Sequence, residues 1–97
     1  MDEALEAVVR GRVQGVGFRY FAHREAMALG LAGWVANESS GRVRSVAEGP
    51  RPALETLLAD LSEGPSGAWV ERVDASWLPA TGGFRDFDIR SGSHPGD

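Results

Sequence analysis

The stretch Leu5-Glu-Ala-Val-Val-Arg-Gly-Arg-Val-Gln-Gly-Val-Gly-Phe-Arg19 holds a strand, a break and the beginning of a helix. Leu5, Ala7, Val9 and Val13 alternate with Glu6, Arg10 and Arg12, the two-residue period of a half-buried strand over about Leu5 to Val13. Val8 is the one apolar residue on the outer face. Glycines at 11, 15 and 17 then break the alternation. From Tyr20 onward, Phe21, Ala22, Ala26 and Leu29 recur at helical spacing until Gly30, which with Leu31 reads as a left-handed helix stop and its apolar contact.

Two further strands, Gly33-Trp-Val-Ala-Asn37 and Gly41-Arg-Val-Arg-Ser-Val-Ala-Glu48, flank the polar connection Glu38-Ser-Ser40. In the second of these, Val43, Ser45 and Ala47 are assigned to the core and Arg42, Arg44, Val46 and Glu48 to the opposite face. Pro50 and Pro52 open a second helix, in which Leu54, Leu57, Leu58 and Leu61 repeat at spacings of three and four while Glu55 and Asp60 face water. Gly64-Pro-Ser-Gly67 ends it. Trp69 to Trp77 alternates again, and a short last strand around Phe84 to Ile89 follows the turn at Gly82-Gly83. Trp34, Trp69 and Trp77 are assigned to core packing.

Strand, helix, strand, strand, helix, strand is the order of an α+β, ferredoxin-like (βαββαβ) sandwich. An antiparallel sheet of four main strands with a short fifth is expected, and both helices on one face. The 97 residues suit a single domain with its core over about 5–90, and 91–97 are read as a disordered tail.

Composition narrows the chemistry. There is no cysteine, so disulfides, thiolate nucleophiles and zinc–thiolate sites are excluded, and His23 and His94 are too far apart in sequence to suggest a metal pair. No metal or other cofactor is expected. All 10 basic residues are arginine, which rules out a Walker-type or Schiff-base lysine. A net charge of −4 argues against broad capture of nucleic acid. No apolar run approaches the length of a membrane span and the first residues are acidic, so a cytoplasmic monomer is expected, without membrane or nucleic-acid partners.

Within these limits the segment from Gly11 to Arg19 carries the most chemical information. Three glycines between a strand and a helix start allow a tight curl whose N–H groups point inward, and the helix N-terminus adds about half a positive charge. The planar guanidinium of Arg19 can give two parallel hydrogen bonds to phosphate oxygens. On spacing alone, glycines that merely turn a corner and a solvated Arg19 are an equal alternative. Asn37 on its own reads as a strand-end turn residue.

Gly11-Arg-Val-Gln-Gly-Val-Gly-Phe-Arg19, followed by Gly33-Trp-Val-Ala-Asn37 and Gly41-Arg-Val43, resembles the acylphosphatases, and the resemblance extends over about Leu5 to Ile89 through Val46-Ala-Glu-Gly49 and Phe87-Asp-Ile89. It implies hydrolysis of a carboxyl-phosphate anhydride. The implied phosphate cradle is the backbone of Gln14, Gly15, Val16, Gly17, Phe18 and Arg19, with the Arg19 side chain on the phosphoryl group and Asn37 holding the attacking water. The implied partners are a small acyl phosphate and inorganic phosphate. An asparagine carboxamide can orient water without removing its proton. Many members carry a threonine after the asparagine, where this chain has Glu38-Ser39-Ser40, which leaves open any support of the water by Ser39 or Ser40.

Other features read as ordinary. His23 is assigned to a solvated helix surface and no role, and Glu38, Glu48, Asp86 and Asp88 to solvated charge rather than a carboxylate pair. Two alternatives stay open: an RNA-binding module on the same fold, and a domain that binds acyl or carbamoyl phosphate for a larger partner. The first demands aromatic stacking residues on the outer faces of strands one and three, which instead present Glu6, Val8, Arg10, Arg12, Arg42, Arg44, Val46 and Glu48.

Overall fold

The computed structural model describes residues 1–91, so the expectation of a disordered tail lies, beyond Ser91, outside the described residues. The elements are β1 (Asp2–Arg12), α1 (Phe18–Ala28), β2 (Ala32–Asn37), β3 (Val43–Pro50), α2 (Arg51–Glu63), β4 (Trp69–Pro79) and β5 (Phe87–Arg90). They form one sheet in the order β4-β1-β3-β2-β5. The first four are antiparallel neighbours, as expected, and β5 runs parallel to β2, which makes the sheet mixed.

The inward row is where the period puts it, with Leu5, Ala7 and Val9 of β1, Val13 just beyond it and Val43, Ser45 and Ala47 of β3 buried, but Ala4 and Val8 on the other face of β1 are buried as well. Against them α1 lays Phe18, Ala22 and Ala26, and α2 lays Leu54, Leu57 and Leu61. Helix α1 stops as its sequence implies. Gly30 takes φ 70°, Leu31 N–H donates to Ala26 and Gly30 N–H donates to Met27, the paired bonds of a Schellman ending.

The tryptophans correct the core assignment. Trp69 is 60% exposed, because the bulge between Arg10 and Gly11 shifts the register so that Trp69 opposes Arg12 on the open face while Val70 turns inward. Trp34 is on the same open face, half-buried under the Arg90 guanidinium at 4.5 Å from its ring. Only Trp77 packs against the core, with Arg51 over its outer side at 3.5 Å. His23 is not freely solvated either, since its ring packs on the buried Phe87 with centroids 6.1 Å apart.

β4 and β5 occupy opposite edges, so residues 80–86 must cross the end of the sheet, four strand spacings or roughly 19 Å. An extended run of that length reaches about 24 Å, which leaves little slack. The crossing explains why β5 is parallel to β2: the chain re-enters from the end where β2 begins, and Gly33 N–H donates to the Asp86 carbonyl at 2.9 Å.

Glu48 pins the crossing midway, and this corrects its reading as a solvated charge. It is 7% exposed, and its carboxylate accepts from the N–H of Thr81 (3.0 Å) and Gly82 (2.9 Å) and from the Thr81 hydroxyl (2.9 Å). Burial pushes this carboxyl up, and the three donors outweigh burial and hold it below the usual glutamate range. Glu48→Gln is expected to cost about 2 kcal/mol of stability near neutral pH. Because the folded pKa is depressed, the contribution is complete above the unfolded value and is lost as pH falls through the folded one. Urea unfolding of both proteins at about pH 7 and about pH 3 measures this, and the gap must narrow in acid.

Candidate active site

Near the end of β1, opposite the bulge that leaves Glu71 of β4 unpaired, Gly11 takes φ 132° and any Cβ would strike the Trp69 carbonyl. The following loop reaches α1 through Gly17, which takes the N-cap position in the left-handed conformation, φ 77° and ψ 21°. Glycine there provides no side-chain cap, and the first turn holds no acidic residue. The first helical bond is from Phe21 N–H to the Gly17 carbonyl at 3.0 Å, so the N–H groups of Phe18, Arg19 and Tyr20 have no acceptor within the helix. The result is a helix end with its positive partial charge uncapped. Arg19 adds a full cation at this same end, a placement unfavourable by about 0.3 to 1 kcal/mol until an anion sits between them.

The Arg19 guanidinium is held from the far edge of the sheet: Nη1 donates to the Arg90 carbonyl at 2.8 Å and to the Ser91 carbonyl at 3.3 Å. In the parallel β2–β5 pair Arg90 opposes Ala36, the residue before Asn37. On the other side, Gln14 Nε2 donates to the Glu38 carbonyl at 2.7 Å and to the Arg42 carbonyl at 2.9 Å. Asn37 therefore stands between two tethered neighbours. It is the last residue of β2, half-buried, and alternation puts it on the helix-side face with Gly33 and Val35. Gln14 and Arg19 lead from the two ends of the cradle to the same strand end. Gly15, Val16, Gly17 and Phe18 lie between them, with Phe18 buried as the anchor.

The turn after Asn37 is closed by Glu38 N–H to the Arg42 carbonyl (2.8 Å) and Gly41 N–H to the Glu38 carbonyl (3.0 Å). The Ser40 hydroxyl accepts from Arg42 Nε at 2.7 Å, and Ser39 is exposed. Glu38, like Glu48, departs from the expected solvated charge: its side chain is 15% exposed and paired with Arg42 and Arg44. Behind this turn, on the open face, Arg10, Arg42 and Glu71 line a concavity of about 440 Å³. Its arginines are committed to Asp74 and Glu38, and a glutamate shares the wall, so it is less suited to an anion than the cradle.

A family model described as acylphosphatase matches residues 5–89. The chain belongs to the acylphosphatase family. An acylphosphatase of Salinibacter ruber is 49% identical over 89 residues, 92% of this chain and 94% of its own length. The crystal structure of acylphosphatase from Bacillus subtilis matches with a TM-score of 0.88 at 39% identity, over 93% of this chain and 99% of that one. Full-length HypF, in its phosphate- and nucleotide-bound form, matches with a TM-score of 0.89 at 29% identity, over 99% of this chain but 13% of that one.

Sequence reading of this acylphosphatase chain did not find the Arg90 and Ser91 carbonyls, because main-chain acceptors leave no side-chain signature. It named Gln14 for its backbone and missed the bridging carboxamide. The embedding of Glu38 was signalled by Arg42 and Arg44 at fixed distance across a hairpin, a pattern that the solvated-charge reading passed over.

Gly17→Ala puts a Cβ at positive φ with no atom within 4 Å, so backbone strain of about 1 kcal/mol is its main effect. Gly30→Ala meets the same strain, at φ 70° and likewise in open space, but outside the loop. Both variants are expected to lose similar stability, and only Gly17→Ala to lose affinity for inorganic phosphate by calorimetric titration.

Proposed function

We propose that the chain hydrolyses small acyl phosphates to a carboxylate and inorganic phosphate, with Arg19 and the 14–19 backbone binding the phosphoryl group and Asn37 positioning the water. The supporting observation is the convergence of two tethers on one strand end, Arg19 on the Arg90 carbonyl opposite Ala36 and Gln14 on the Glu38 carbonyl, with Asn37 between them. The open N-terminus of α1 and Arg19 together match a dianionic phosphoryl group in charge and geometry.

The reaction needs little beyond placement. Water held by the Asn37 carboxamide attacks phosphorus in line with the anhydride oxygen; the P–O bond to the acyl group breaks and the electron pair leaves on the carboxylate. The water proton passes to a phosphoryl oxygen, so no side-chain base is required. Carboxylate is stable unprotonated, so no general acid is required either. Arg19 and the N–H groups neutralise the equatorial oxygens, and positioning plus electrostatics are the main sources of rate in phosphoryl transfer.

The reading also takes the chain as a cytoplasmic monomer that acts alone, without metal, nucleic acid or membrane. Among the described residues no helix is long and apolar enough to cross a membrane. The match to a small part of HypF keeps a phosphate-binding role within a larger assembly as the second reading, and turnover by the isolated chain separates the two.

With benzoyl phosphate and a chelator present, the unmodified chain is expected to turn over. Asn37→Ala should lower kcat by at least about 100-fold with inorganic phosphate still bound, and Arg19→Ala should lose both, at about 3 to 4 kcal/mol in the barrier. An Asn37→Ala protein with near-normal kcat overturns the assignment of the water, and a requirement for added metal overturns the mechanism.

A further inference from the structure

Glu38 hydrogen-bonds through its N–H, its carbonyl and one of its two carboxylate oxygens. Its N–H donates to the Arg42 carbonyl, and its carbonyl accepts from Gly41 N–H and from Gln14 Nε2. Its Oε2 accepts from Arg44 Nε at 2.7 Å, and its Oε1 lies 3.3 Å from Arg42 Nε, close enough for attraction but not aligned as a hydrogen bond. Arg44 continues to Glu6 on β1, Nη1 to Oε2 at 2.7 Å. The hydrogen bonds to Glu38 and Glu6 hold the Arg44 guanidinium above its ordinary pKa, so the guanidinium stays charged.

Glu38, just past the end of β2, lies on the open face, where it pairs with Arg44 and through it Glu6, while alternation places Asn37 on the helix side. A carboxylate fixed on one side of the sheet thus sets the backbone of the residue whose amide works on the other. Ser39 and Ser40 cannot do this, because Ser39 is exposed and the Ser40 hydroxyl is taken by Arg42.

We infer that Glu38 is a positioning residue: its carboxylate, clamped by Arg44 and Arg42, fixes the end of β2 and through it the orientation of the Asn37 carboxamide toward the attacking water. The inference rests on the proposed role of Asn37. The Glu38 carboxylate touches neither Arg19, held by the carbonyls of Arg90 and Ser91, nor the open end of α1, and only the Glu38 carbonyl reaches the cradle, through Gln14, so water placement depends on the carboxylate more than phosphoryl binding does.

The test is steady-state hydrolysis of benzoyl phosphate by Glu38→Ala, Glu38→Gln and Asn37→Ala, with inorganic phosphate as competing ligand and thermal unfolding as a check that each protein is folded. Glu38→Ala is expected to lose roughly 10- to 100-fold in kcat, the scale of a misplaced reacting group, with the phosphate inhibition constant within about twofold. Glu38→Gln keeps an acceptor for Arg44 Nε and should retain kcat within about fivefold, a rescue that survives even if the alanine variant unfolds. Unchanged kcat in folded Glu38→Ala overturns the inference, as does loss of kcat and phosphate affinity in equal proportion, or a glutamine variant as impaired as the alanine one. If Asn37→Ala is itself active, the assignment of the water fails rather than this inference alone.

Discussion

One carboxamide joins the two halves of the site. Gln14 donates both of its amide protons, one to the Glu38 carbonyl and one to the Arg42 carbonyl. A loop with glycines at 15 and 17 would otherwise be free to adopt many conformations, and its N–H groups could not share a focus with a residue on another strand. Glycine gives the loop its curvature but also its entropy. Gln14 restrains that freedom by fastening the loop to a turn that is itself closed by its own backbone bonds. It is a neutral tether, so it leaves the field of the cradle to Arg19 and the helix end.

Much of the fold could be read from periodicity. The inward rows of β1 and β3, the leucine face of α2 and the glycine stop at Gly30 all express local chemistry, and each is where the pattern puts it. The departures share a cause. Trp69 is exposed because a bulge changes register, Trp34 is on the open face because Gly33 and Val35 take the inner one, and β5 is parallel because the chain crosses the end of the sheet and re-enters where its partner β2 begins. Such facts depend on which strands become neighbours, and a single-strand period does not contain them. The site divides in the same way: Arg19, Asn37 and the loop were legible as a motif, whereas the carbonyls of Arg90 and Ser91 were not, since any residue would supply them.

The charges on the open face follow from the same neighbour relations. Arg10, Arg12, Arg42 and Arg44 would make a positive stripe if β1 and β3 were considered alone, and among the described residues all but Arg12 acquire a carboxylate. The sheet brings Asp74 to Arg10, Glu38 to Arg42 and Arg44, and Glu6 to Arg44, so the stripe becomes a set of local pairs. Individually such half-exposed pairs contribute little to stability. Their larger effect is on the field: with these cations matched, the open helix end and Arg19, whose side-chain bonds run to carbonyls, are left as a focus for a small anion.

The position of Arg19 depends in turn on the opposite end of the sheet. The carbonyls that hold it belong to the end of β5, a strand of four residues that pairs with β2 along one side and is reached only by the taut crossing from β4. Too short to fix its own register, β5 is set at its entrance by the Gly33–Asp86 bond and by the Glu48 clamp on Thr81 and Gly82, and at its exit by Arg90 lying over Trp34. A slip of one residue would exchange the two faces of β5, exposing Phe87 and moving the Arg90 carbonyl away from Arg19. The burial of Phe87 between sheet and α1 opposes that slip with the full apolar area of an aromatic ring. Core packing at one end of β5 and phosphoryl recognition at the other are therefore aspects of a single strand register.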